Sequence, residues 1–209
     1  MSSALILVDI QNDFLPGGAL GVPDGDAVIA VANRLATLFE FVVATQDWHP
    51  PDHSSFAQNH RGRRPGELIQ LRGMPQVLWP AHCVQHTAGA AFATGLDSRC
   101  CQRVVQKGTD PEIDSYSGFF DNGHQKATGL EAKLREQRIE NLYVLGLATD
   151  YCVKYTALDA RQLGFEVWLV EDGCRGVNLK PGDAAAAVAE LAAAGVHVVQ
   201  SRDLTRIWR

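Results

Sequence analysis

The stretch NLYVLGLATDYCVKYTALDA (141–160) decides the fold. Its opening run, NLYVLGLA, is short, apolar and broken by Gly146, the pattern of a buried strand. Val153, Ala157 and Ala160 then recur at i, i+4 and i+7, the spacing of a helix with one buried face. A strand therefore hands over to a helix within a few residues, and Cys152 stands at the handover.

The same alternation extends in both directions. Strand-like runs occupy 4–10, 41–45, 101–106, 165–171 and 196–200. A helix is expected over 24–40, with Val28, Val31, Leu35 and Leu38 on one face. Another is expected over 181–195, which opens on Pro and closes on Gly. Alternating units of this kind predict an α/β protein, a three-layer α/β/α arrangement around a mostly parallel sheet of about six strands, Rossmann-like in outline. With 209 residues, 46% of them hydrophobic and 21% charged, the chain suits one domain spanning 1–209. The region 47–100 departs from the rhythm: it is rich in Pro, Gly, His and Asp, and only 86–96 offers a short helix. Loops of that length in a compact domain usually carry function.

Charge narrows the classes. A net charge of −5 provides no long-range attraction to nucleic acid or to an anionic membrane. The one dense basic cluster, Arg61, Arg63 and Arg64, reads as a solvated loop face. The opening MSSALILVDIQND lacks a basic leader and carries Asp9 within a few positions of its apolar run, and no segment approaches the length of a bilayer span. A cytoplasmic protein without nucleic-acid or membrane partners is expected. The five cysteines (83, 100, 101, 152 and 174) form no CxxC pair and fit a reducing compartment.

Ligands of open α/β sheets bind at the carboxyl ends of the strands, and the residues found there are Asp9, Asp47 with His49, Lys107 and Cys152. A carboxylate, an ammonium and a thiol are the parts needed to activate a sulfur nucleophile. The helix N-terminus and the lysine are expected to lower the thiol pKa. Asp47 and His49, two apart in an extended segment, point to one side, and a further histidine would complete a two-His, one-carboxylate metal set with open positions. His53, His82 and His86 compete for that place, and spacing leaves the choice open. His60 reads as a solvated loop residue.

The segments LILVDIQNDFLPGGAL (5–20), VVATQDWHP (42–50), SFA (55–57), LWPAHCVQ (78–85), QKGTD (106–110), YSGF (116–119) and GLATDYCV (146–153) resemble, in order and across nearly the whole chain, the nicotinamidase/pyrazinamidase family of isochorismatase-like cysteine hydrolases. The resemblance implies a catalytic triad of Asp9, Lys107 and Cys152. It implies oxyanion donors from the backbone N–H groups of Ala148 and Cys152, with a cis peptide between Leu147 and Ala148. One divalent metal is implied on Asp47, His49 and His82, with His53 matching a position that serves as an additional ligand in some members. Its identity would be zinc, with Fe(II) or Mn(II) as alternatives. A substrate pocket walled by Phe14, Leu20, Trp79, Tyr116 and Leu147, with Tyr151 nearby, follows from the same source, and homo-oligomers are compatible with it.

The implied reaction is hydrolysis of nicotinamide to nicotinic acid and ammonia through a cysteine thioester, with pyrazinamide as a further substrate, in salvage of NAD. An alternative is a related cysteine amidohydrolase acting on another small amide or a carbamoyl compound. The DWH and WPAHC segments count against it, because the metal serves mainly to hold a heteroaromatic nitrogen. A redox-sensor reading lacks a resolving cysteine partner for Cys152.

Overall fold

The computed structural model of the protein describes residues 2–207. Six strands, β1 (Ser2–Val8), β2 (Phe41–Asp47), β5 (Arg103–Lys107), β6 (Ile139–Leu147), β7 (Glu166–Arg175) and β8 (His197–Val199), form one sheet in the order β5-β2-β1-β6-β7-β8. Every neighbouring pair in it is parallel, so the expected mostly parallel sheet is parallel throughout. Parallel strands need crossovers, and the helices that supply them cover the sheet.

Those helices are α1 (Ala27–Ala36), α2 (Leu130–Glu136), α3 (Lys154–Gln162), α4 (Asp183–Ala193) and α5 (Ser201–Ile207). In α1 the buried residues Val28, Val31, Ala32 and Leu35 follow the i, i+3, i+4, i+7 rule, and that stripe meets β1, β6 and β7. Helix α5 joins α1 against β7, while α3 and α4 pack together and α2 lies on β6. The central strands are buried on both faces: Ala4 to Val8 are fully buried, as are Leu142, Val144 and Leu145. That is why their sequences read as unbroken apolar runs.

Two expectations on secondary structure fail, each for a stated cause. Residues 86–96 form turns, not a helix. Their backbone groups are used by the loop after β1: Asn12 N–H donates to Ala91 O, Asp13 N–H to Gly89 O, and Ala93 N–H to Ile10 O. Within 47–100 the chain also forms an antiparallel hairpin, β3 (Leu68–Leu71) and β4 (Met74–Val77), which the loop-like composition concealed. Among the described residues, no helix is long and apolar enough to cross a membrane.

The strand order places a topological switch point between β1 and β6. From β1 the chain moves outward to β2 and β5, then returns to the other side of β1 at β6. Crossovers on either side diverge at such a point and leave a crevice at the strand ends. Gly146 permits the close approach of β1 and β6 there: its φ is +132°, and a Cβ on it would stand 2.1 Å from the Val8 carbonyl oxygen.

Candidate active site

Asp9 follows β1, Asp47 ends β2, Lys107 ends β5, and Cys152 lies in a π-helical turn, Thr149–Val153, between β6 and α3. Asp47 and Lys107 are register partners across β2 and β5, so their side chains leave the sheet side by side. The Lys107 ammonium is fully buried and stands 2.5 Å from Asp47 Oδ1, 2.9 Å from Asp9 Oδ2 and 3.4 Å from Cys152 Sγ. It also donates to the Ser115 carbonyl at 2.9 Å. One cation thus touches Asp9, Cys152 and the first candidate metal ligand, Asp47.

Asp9 has its Oδ1 occupied by the Thr45 hydroxyl at 2.6 Å. Its Oδ2 meets Lys107 as an ion pair without an aligned hydrogen bond, and an Asp9 oxygen lies within 4.8 Å of Cys152 Sγ. Burial raises the Asp9 carboxyl to about 6 against the opposing pull of Lys107, with the neighbouring Asp47 charge adding to the rise. Asp47 goes the other way: burial opposes its ionisation, but Lys107, His49 and His82 hold it well below the usual carboxylate range.

The thiol departs from the sequence-based expectation. Burial pushes Cys152 well above the ordinary cysteine value; Lys107 opposes this, and Asp9 and Asp47 reinforce it. Cys152 therefore rests as a neutral thiol, not a standing thiolate. Burial, which the strand-to-helix pattern does not reveal, outweighs the helix terminus.

Beside this cluster, Asp47, His49 and His82 are buried and bring ligand atoms within 4.8 Å of one another. His49 Nδ1 lies 2.9 Å from the Gly108 carbonyl oxygen and His82 Nδ1 lies 2.8 Å from that of Pro80. A carbonyl only accepts, so each Nδ1 carries a proton; in the neutral ring the lone pair is then on Nε2, which faces Asp47 Oδ2 at 3.6 and 3.9 Å. Two oriented imidazole lone pairs and a carboxylate are a donor set that fits a borderline divalent cation. Gly108 makes room for this arrangement, since a Cβ there would stand 2.3 Å from the His49 ring.

His53 is buried with its ring centroid 4.3 Å from that of His49. Its Nδ1 is engaged by Ser55, and its Nε2 has no hydrogen-bond partner, within a second set formed with His49 and Asp114. His86 is exposed, belongs to neither set and packs edge-on against Trp48.

A cleft opens onto both clusters. Phe14, Leu20, Trp79 and Tyr116 line it as expected, with Tyr151, His82, Asp47, Ala148 and Cys152. Leu147 does not: it is fully buried in the core beneath the turn, where the last residue of β6 still belongs to the sheet. The bond between Leu147 and Ala148 is cis, and the Tyr151 and Val153 N–H groups both donate to the Ala148 carbonyl.

Four residues that organise the site escape the strand-end reading. Gln11 donates through Nε2 to the Asp47 carbonyl and accepts the Asp47 N–H on Oε1, both at 2.8 Å, fixing the end of β2. Asp13 accepts the Cys83 N–H at 2.7 Å, anchoring the loop that carries His82. Asp114 lines the cleft, and Gln76, on β4, donates to it at 3.0 Å. The signal available for the first two is their place, directly after a buried strand, where a polar side chain has backbone groups of several loops in reach.

Known proteins are close to this chain in sequence and shape. The chain is 53% identical to the nicotinamidase of Escherichia coli over 96% of its own length and 95% of that protein. Its structure superposes on an Acinetobacter baumannii nicotinamidase/pyrazinamidase with a TM-score of 0.94 at 47% identity, covering 97% of this chain and 98% of that one. It superposes on the Pyrococcus horikoshii pyrazinamidase in complex with zinc with a TM-score of 0.78 at 39% identity, covering 96% and 99%. The isochorismatase domain model matches residues 3–203, and the chain belongs to that family.

Proposed function

We propose that the protein is a nicotinamidase that hydrolyses nicotinamide to nicotinate and ammonia, with pyrazinamide as a second substrate, and so returns the pyridine ring to NAD salvage. The observation that carries the reading is the Lys107 ammonium set between Asp9, Asp47 and Cys152, with Asp47 and Cys152 lining an aromatic cleft. High identity to the Escherichia coli nicotinamidase over nearly the whole chain supports the choice of amide.

In this reading Asp9 is the general base. With its carboxyl at about 6 it is mostly ionised at neutral pH, yet basic enough to take the Cys152 proton as the sulfur attacks the carboxamide carbon. Lys107 holds Asp9 in place and balances the charge that moves from carboxylate to sulfur. The backbone N–H groups of Ala148 and Cys152 receive the oxyanion. Protonated Asp9 then gives its proton to the departing nitrogen, so ammonia leaves and a thioester remains. Water, deprotonated by Asp9, attacks the thioester carbon; the C–S bond breaks, the thiol regains its proton, and the carboxylic acid departs.

Asp47, His49 and His82 would hold one divalent cation, zinc by their mixed carboxylate and imidazole character, with His53 within reach as a further donor. When bound, the cation supplies an open position for the ring nitrogen of a pyridine. The gain is orientation: Phe14, Trp79, Tyr116 and Tyr151 enclose the flat ring while the carboxamide is held over Cys152. Ammonia release from nicotinamide by the metal-loaded protein, run beside Cys152→Ala, tests the proposal. Release by the unaltered protein alone supports it; no release overturns it.

A further inference from the structure

Asp114 has no assigned part in that mechanism, yet it is 5% exposed and its carboxylate lines the cleft. Ser115 N–H donates to Oδ1 at 2.8 Å and Gln76 Nε2 to Oδ2 at 3.0 Å. The same Gln76 nitrogen lies 3.0 Å from the Tyr116 hydroxyl, which also accepts from Trp79 Nε1 at 3.2 Å. Gln76 and the Ser115 backbone therefore hold this carboxylate in a fixed place; its basic neighbours are the His49 and His53 rings, within 4.8 Å, and the described ion pairs include no lysine or arginine for it. A buried carboxylate without a lysine or arginine beside it is costly, so its retention calls for a reason.

The charges around the cleft provide one. Asp47 and Asp114 are the formally charged residues of its lining, whereas Lys107 lies behind the wall, committed to Asp9 and Asp47. Three carboxylates against one ammonium leave two net negative charges. A divalent cation on Asp47, His49 and His82 would bring the total to zero. Without Asp114 the loaded site would carry one positive charge and would attract an anion. Substrate and product of the proposed reaction differ in that respect, for the amide is neutral and the acid is ionised at neutral pH.

We propose that Asp114 is a specificity-determining residue that makes the cleft favour the neutral amide over the anionic acid, and so speeds release of the product. This rests on the nicotinamidase reading above. Two unit charges several ångströms apart in a partly buried site interact strongly enough to change an affinity by about tenfold or more.

The test measures the affinities of nicotinamide and nicotinate on metal-loaded Cys152→Ala protein, which binds without turnover, with and without a substitution at Asp114. Asp114→Asn and the smaller Asp114→Ser are expected to raise the affinity for nicotinate relative to nicotinamide by about tenfold. Asp114→Glu, which keeps the charge, is expected to leave the ratio near its original value. A ratio unchanged in whichever neutral variant folds and loads metal, or equal losses for both ligands, overturns the proposal and leaves Asp114 a packing residue. Absence of nicotinamide hydrolysis by the unaltered protein would instead overturn the reading on which it rests, so the two failures are separable.

Discussion

Replacing Lys107 by methionine removes the buried cation from between Asp9 and Asp47 while keeping nearly the same volume. Both carboxylates are then left without their shared partner, at sites where the Lys107 side chain was fully buried and Asp9 likewise. Breaking a buried pair by deleting one member costs about 3–5 kcal/mol, because the desolvation of the other is no longer offset. For a domain of this size each kcal/mol lowers the melting temperature by roughly 2–4 °C, so a fall of roughly 6–20 °C is expected.

The loss has a pH signature. Asp9, already raised to about 6, escapes part of the repulsion by taking up a proton. Each pH unit above its value makes that escape cost about 1.4 kcal/mol more. The variant is therefore expected to lose less stability near pH 5 than near pH 8, measured by calorimetry against the parent at equal metal content. Turnover at neutral pH should fall by about 10²-fold or more, since the base is held protonated. A melting change below about 3 °C at the higher pH, or a larger loss at the lower pH, would refute the shared-cation account.

Cys152→Ala should fold, load metal to the parent level and lose ammonia release by at least about 10³-fold; retained turnover would remove Cys152 from the chemistry. His49→Ala deletes an imidazole whose Nε2 faces Asp47 Oδ2 at 3.6 Å, so metal content measured by elemental analysis should fall well below one equivalent. Full occupancy after that change would reject the ligand assignment. In the parent, kcat/KM should decline as pH falls through about 6, because the base must be ionised and burial has raised Asp9 to that value. An acidic limb near the ordinary carboxylate range of about 4 would assign the limb to another group.

Much of this was legible in the chain because strands buried on both faces cannot hide. Their apolar runs locate β1, β2 and β6, the edge strand β5 shows only the short Val104–Val105 pair, and the residues at or just after the strand ends, Asp9, Asp47, Lys107 and Cys152, are the ones the sheet gathers. What stayed hidden depends on contacts between segments far apart in sequence. Gln11 reaches Asp47 across 36 residues and Asp13 reaches Cys83 across 70, and no local pattern encodes either bond. The turns at 86–96 resemble a helix in composition because their alanines and glycines are small. They are small because the loop lies against residues 10–13: a Cβ on Gly89 would stand 2.1 Å from the Asp13 carboxylate. The choice among His53, His82 and His86 likewise turned on resemblance, since all three lie within one loop region.

The cost of this cluster is itself an argument about its purpose. Asp9, Asp47 and Lys107 are each less than 5% exposed, and Asp9 is buried so deeply that its carboxyl rises despite a lysine 2.9 Å away. A set of apolar side chains of the same volume would close the end of the sheet at equal or lower free energy, because desolvating ions commonly costs more than their attraction returns. A buried ion pair kept for structure alone would also be expected to hold its carboxylates depressed, as Asp47 is. Asp9 departs from that pattern: it shares the same lysine with a stronger competitor at 2.5 Å and is left basic beside a thiol whose own value burial has raised. A raised carboxylate takes a proton from the attacking thiol at lower cost than a depressed one would, and the cation beside both balances the charge that moves. In the proposed mechanism, the closer pairing of Lys107 with Asp47, at 2.5 Å against 2.9 Å for Asp9, is what leaves Asp9 able to act as the base.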